Sequence, residues 1–203
     1  MIRSALGAAV ALAALTLTPA ASAGAVQDAA PAPGSYMAQR AALQTGKAGT
    51  AMTPLARPLL RVPFRCNETW SGASRSGHSP SYYAVDLNWG SGTDDLGKPV
   101  KTSAAGTVVR SAYDAGGYGN YIEIAHGDGW HTLYAHLQSR AVGVGATVTD
   151  STQIGRVGDT GNVTGPHLHY EQIHDGTVVP ALFGTSTWVA YPGPAGYSRI
   201  RDC

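Results

Sequence analysis

From about residue 58 onward the chain is a succession of short β-branched and aromatic runs. They are "YYAVDL", "GTVVRSAY", "NYIEIAH", "WHTLYAHL", "ATVTD" and "PHLHYEQI", separated by "GSGTDDLGKP", "DAGGYG", "GDG", "GVG" and "GDTGNVTG". Gly, Asp and Asn clusters at this spacing end strands and turn the chain, and no long stretch carries a 3.6-residue apolar period. The 26 glycines, about twice average usage, come without a G-X-Y repeat. With only 13% charged residues, the pattern predicts one all-β, antiparallel domain over residues 58–203. In "HGDGW" the Asp-Gly pair between two alternating runs predicts a hairpin.

The preceding residues read differently. "MIR" is a short basic start, "ALGAAVALAALTL" an apolar run, and Ala21-Ser22-Ala23 a small-x-small cleavage site. Residues 1–23 are therefore expected to be a secretory signal peptide, leaving no stable membrane anchor after cleavage. Residues 24–57 are rich in Ala, Gly, Pro and polar side chains. They are expected to form a linker or pro-segment with little buried surface. The net charge is +1 and no basic run follows a phosphate backbone, which excludes nucleic acid as the expected partner. Export also decides how the two cysteines are read. An isolated pair in an oxidising compartment most simply forms one disulfide, here Cys66–Cys203, tying the start of the domain to its end.

Strand phase narrows the chemistry. In "HLHYE", His167, His169 and Glu171 share a face while Leu168 and Tyr170 point the other way. In "TLYAHL", strict alternation groups Thr132, Tyr134 and His136 against Leu133, Ala135 and Leu137. Two histidines two apart on a strand can converge on one ion, act as an acid–base pair, or decorate a wet face; the spacing leaves all three open. His78 lies in a Gly/Ser/Pro loop. Asp86 follows between Val85 and Leu87 on the opposite face, so an inward carboxylate there needs a partner. A loop histidine and a strand carboxylate suit zinc, with the nearby acids Asp94 and Asp95 as local competitors. His126, His131 and His174 sit beside turns and are expected to be structural. Tyr82, Tyr83, Trp89, Tyr118 and Trp130 could line a substrate groove or simply pack. The chain has no H-E-x-x-H and no G-x-S-x-G, so neither a zincin glutamate nor a serine nucleophile is available.

The run from "HSPSYYAVDLNWG" through "YGNYIEIAHGDGWHTLYAHL" to "IGRVGDTGNVTGPHLHYE" resembles the lysostaphin/LytM-type zinc endopeptidases, peptidase family M23. It covers about residues 76–175 and holds three signature blocks in order. The resemblance implies a compact antiparallel domain of the duplicated-hybrid, barrel-sandwich-like kind. It implies one Zn2+ held by His78, Asp86 and His169, with His136 and His167 as the two catalytic histidines. The first block departs from the family's common H-x-x-x-D, since seven residues separate His78 from Asp86; that spacing is compatible with the beta-lytic branch. The implied activity is cleavage of peptidoglycan peptides by a secreted enzyme, expected to be a monomer. The alternatives are a non-catalytic LytM-like module that binds wall or regulates a partner hydrolase, and a general extracellular protease of Gly-rich proteins.

Overall fold

The computed structural model describes residues 57–74, 77–185, 187–189 and 197–200. The expected signal peptide, almost all of the expected linker or pro-segment, and Cys203 with the expected Cys66–Cys203 disulfide lie outside these residues. The described strands are β1 (Trp70–Ala73), β2 (Val85–Asn88), β3 (Pro99–Lys101), β4 (Gly106–Asp114), β5 (Gly119–Gly127), β6 (Trp130–Arg140) and β7 (Thr147–Val148). They continue with β8 (Gln153–Val157), β9 (Leu168–His174), β10 (Thr177–Val179), β11 (Leu182–Phe183), β12 (Thr187–Trp188) and β13 (Tyr197–Ile200). Eleven form one sheet along the path β13-β1-β2-β9-β6-β5-β4-β7, with β10 on β9 and β8 joining β6 to β3. Every pairing is antiparallel, as the sequence pattern predicts.

The "HGDGW" hairpin joins β5 to β6. Its turn takes the left-handed conformation at Gly127, Asp128 and Gly129, which is why Asp-Gly suits it. β6 and β9 pair from Trp130↔His174 to Ala135↔His169, and β9 pairs on its other side with β2 through Asp86↔His169. The central strands thus set Asp86, His169 and Ala135 side by side.

Apolar residues pack on both faces of these strands. Val85, Leu87, Leu168, Tyr170 and Tyr134 join a large core with Phe64 and Trp70. Leu133, Ala135 and Ile173 join a second cluster with Tyr118, Tyr121 and Val178. His169 and Glu171 lie on the second face, as alternation along β9 predicts.

Alternation fails within β6, beside the site. Leu137 belongs to the large core with Tyr134 rather than to the cluster of Leu133 and Ala135. The expectation that Tyr134 and His136 share a face is therefore wrong. Against β5, Asn120 pairs Leu137 and Ile122 pairs Tyr134, so β6 carries one extra residue in this interval. His136 takes φ 59°, a left-handed value that costs an ordinary residue about 1–2 kcal/mol. A β-bulge re-aims a side chain, and this one turns His136 toward the face that carries His169.

Candidate metal and acid–base site

His78 follows Gly77 in the loop between β1 and β2, and its ring is buried. Its Nδ1 lies 3.0 Å from the Ala84 carbonyl. A carbonyl only accepts, so Nδ1 carries the proton and Nε2 keeps its lone pair. That Nε2 lies 3.1 Å from Asp86 Oδ1. At the neighbouring strand position, His169 Nδ1 lies 3.3 Å from the same oxygen. The other His169 nitrogen, Nε2, lies 3.1 Å from Glu171 Oε1. Both rings thus spend one N–H on an anchor and turn the other nitrogen toward Asp86, where it would be available to a metal ion.

The donor atoms of His78, Asp86 and His169 all lie within 4.8 Å of one another. Zinc bonds of about 2.0–2.2 Å in tetrahedral geometry put neighbouring ligand atoms roughly 3.3–3.5 Å apart. The two edges at Asp86 come close to that, and the N/O donor set suits zinc. Asp94 accepts from the Ser91 amide at 3.0 Å in an exposed loop. Neither it nor Asp95 joins the group.

The second pair stands beside the first. His136 and His167 ring centroids are 4.8 Å apart, and His136 is 5.5 Å from His169. His136 Nδ1 donates to the Thr160 carbonyl at 2.9 Å, and its backbone N–H donates to the Tyr118 carbonyl at 2.8 Å. His167 immediately precedes β9. It is held by an isolated bridge to Gly158 and by Nδ1 donation to the Gly165 carbonyl at 2.9 Å. Its Nε2 lies 3.4 Å from Asp86 Oδ1. In both rings Nδ1 is the nitrogen anchored to a backbone carbonyl.

The loop carrying Thr160 is clasped to the turn before β5. Thr160 Oγ1 accepts from the Asn120 amide at 2.9 Å and donates to the Leu137 carbonyl at 2.8 Å. The Asn162 amide donates to the Gly117 carbonyl. Gly119, at φ +60°, permits this approach: a Cβ there would lie 2.3 Å from the Thr160 carbonyl carbon and oxygen.

The electrostatics favour a cation. Burial alone would raise the Asp86 carboxyl, but hydrogen bonds from His167, His169 and His78 outweigh it and hold the group well below the usual carboxylate range. Burial alone would depress the His169 imidazole; Asp86 and Glu171 outweigh it and raise it to about 9. Burial, then the neighbouring His169 and His167, pushes His136 down to about 3, so His136 is neutral at physiological pH.

All five histidines and acids singled out from the sequence therefore meet in one place. The remaining histidines do not join them. His126 bridges the Ala105 carbonyl and Thr132 Oγ1, each at 2.8 Å. His131 pairs with Glu123 at 2.8 Å, and His174 stacks on Trp130 at 4.5 Å. Among the suggested groove aromatics, Tyr118 and Trp130 are buried. Tyr118 is instead hydrogen-bonded to Glu171. Sequence reasoning put Glu171 on the right face without giving it a job; the signal was its place two residues beyond His169.

Residues 83–180 match the model of Peptidase family M23. A stretch of 88 residues is 43% identical to "Peptidoglycan DD-endopeptidase ShyC" of Vibrio cholerae, covering 42% of this chain and 20% of that protein. Another 110-residue match is 34% identical to lysostaphin of Staphylococcus simulans, covering 51% and 22% respectively. The chain thus spans about a fifth of the length of these curated relatives. A zinc-containing peptidase from Vibrio cholerae superposes with TM-score 0.50 and 26% identity over 63% of this chain and 41% of that one. Over residues 83–180 the β domain is similar to the metallopeptidases of family M23.

Proposed function

We propose that this chain is a secreted zinc endopeptidase that hydrolyses peptide bonds of bacterial peptidoglycan, in the stem peptide or the cross-bridge. His78, Asp86 and His169 hold one zinc ion, and His136 and His167 handle protons. The observation that carries this reading is the convergence of three buried donor atoms within 4.8 Å beside two anchored imidazoles. The substrate is suggested by relatives named as peptidoglycan DD-endopeptidases.

When bound, zinc supplies Lewis acidity, polarising a scissile carbonyl and lowering the pKa of a water toward about 7. The chain's own residues do the rest. His136 is neutral, and the Thr160 carbonyl fixes its tautomer, so Nε2 is ready to accept a proton from the attacking water. His167, held by the Gly165 carbonyl, presents a second Nε2 that can stabilise developing oxyanion charge. Either ring, once protonated, can return the proton to the leaving amine.

Digestion of purified peptidoglycan with and without a chelator, with product masses read out, tests the proposal. Chelator-sensitive release of peptides cut at one amide bond is expected. Undiminished release in chelator refutes the metal role, and no release under any condition favours a non-catalytic wall-binding module.

A further inference from the structure

Tyr118 occupies the turn between β4 and β5, ahead of both His136 and His169 in the chain. Its side chain is fully buried. The hydroxyl donates to Glu171 Oε1 at 2.5 Å, and its ring lies 5.5 Å from the His169 ring. That same Glu171 oxygen faces His169 Nε2 at 3.1 Å. Glu171 is itself completely buried on β9, opposite Leu133 of β6. The three side chains form a line: Tyr118 hydroxyl to carboxylate, and carboxylate to imidazole. On the backbone, the Tyr118 carbonyl accepts the amide of His136 at the bulge. One turn residue thus contacts both halves of the site.

We propose that Tyr118 and Glu171 are positioning residues that hold His169 as the Nε2–H tautomer with Nδ1 free to bind metal. The proposal rests on the assignment of His169 as a ligand. An imidazole can present either nitrogen, and the hydrogen bond made by one decides which is left for the ion. Glu171 is an acceptor only, so it selects the proton on Nε2. A carboxylate able to rotate would lose that selectivity; the Tyr118 hydroxyl fixes it. The Tyr118 carbonyl contact with His136 ties the orientation of the metal ligand to the bulge that aims the proton-handling ring. Partners of metal-bound histidines typically contribute about 10–100-fold in metal affinity.

The test is zinc affinity of the full chain by competition with a chromophoric chelator, for wild type, Glu171→Gln, Tyr118→Phe and His169→Ala. Imidazole 15N shifts of the zinc-loaded wild type are recorded alongside. Glu171→Gln keeps the volume and loses the charge, and Tyr118→Phe keeps the ring and loses one hydroxyl. Glu171→Gln is expected to bind zinc about 10–100-fold more weakly, and Tyr118→Phe about 10-fold more weakly. The 15N spectrum is expected to show His169 protonated at Nε2 and metallated at Nδ1. Affinity within about twofold of wild type in Tyr118→Phe or Glu171→Gln, with His169→Ala much weaker, overturns the positioning role alone. Metallation at Nε2 of His169 does the same. Wild-type affinity in His169→Ala overturns the ligand assignment and the positioning role with it. Should Glu171→Gln fail to fold, Tyr118→Phe still decides.

Discussion

Replacing Gly119 with alanine should disable the site without touching any histidine. The new Cβ would sit 2.3 Å from the carbonyl carbon and oxygen of Thr160, where ordinary contact begins at 3.4 Å. The two loops must therefore part by about 1 Å, and the carbonyl they displace is the one that holds His136 Nδ1. A misplacement of about 1 Å in a catalytic group costs roughly 10²-fold in rate. Stability also suffers, by about 1–2 kcal/mol for a side chain in the left-handed region and about 1–3 kcal/mol for the crowding. Gly145→Ala provides the control. Gly145 has φ +85° and nothing within 4 Å of its added Cβ, so it incurs the backbone cost alone. The assay is kcat on a wall peptide at saturating zinc, with urea unfolding measured in parallel. Gly119→Ala should lose about 100-fold in kcat, while Gly145→Ala loses about 1 kcal/mol of stability and keeps its turnover. If Gly119→Ala stays within about threefold of wild-type kcat, the clasp does not position His136. If Gly145→Ala is equally inactive, general strain explains both.

Further outcomes are expected. His167→Ala should keep bound zinc but lose about 10²–10⁴-fold in turnover, whereas His169→Ala should lose zinc; equal zinc loss in the two, by metal analysis, would sink the division of roles. Tyr134→Phe should cost about 1–3 kcal/mol, because the Ser103 amide, now 2.8 Å from the Tyr134 hydroxyl, is left buried without its acceptor. Turnover of that variant should hold, since Tyr134 packs on the face away from His136; a large fall in kcat would restore the simple alternation of β6. His126 makes stability pH-dependent. Burial, opposed by the hydrogen bond that the ring donates to the Ala105 carbonyl, leaves its pKa below 6.5. Below about pH 6.5 the unfolded chain then binds more protons than the folded one, so stability is full above that pH and falls as acid is added. Urea midpoints at about pH 7.5 and about pH 5 should differ less in His126→Gln than in wild type; an equal or larger drop in the variant contradicts this.

Much of the fold was legible in the residues because strand faces and turns are local properties. The order of apolar and polar residues in "HLHYE" put His169 and Glu171 on one face and Leu168 and Tyr170 on the other, and the structure keeps that division. Asp86 between Val85 and Leu87 read as an inward carboxylate in need of partners. Three imidazoles meet it. The Asp-Gly pair in "HGDGW" announced its hairpin. The same local logic failed at His136, because a bulge is set by pairing with another strand and leaves no mark on the alternation of its own.

The sequence by itself determined that the chain makes short antiparallel strands and that its His and Asp residues suit a zinc-type donor set. The family resemblance, read from residues alone, assigned roles among them. Only the tertiary structure decided which nitrogen each ring shows, because alternation places a side chain on a face without naming the acceptor its ring meets: the Ala84 carbonyl for His78, the Thr160 carbonyl, 24 positions away, for His136, and the Glu171 carboxylate for His169. It also decided that Tyr118, 53 positions from Glu171, belongs to the site. Periodicity reports on neighbours along a chain. A proton's place on an imidazole depends on acceptors that folding brings from elsewhere.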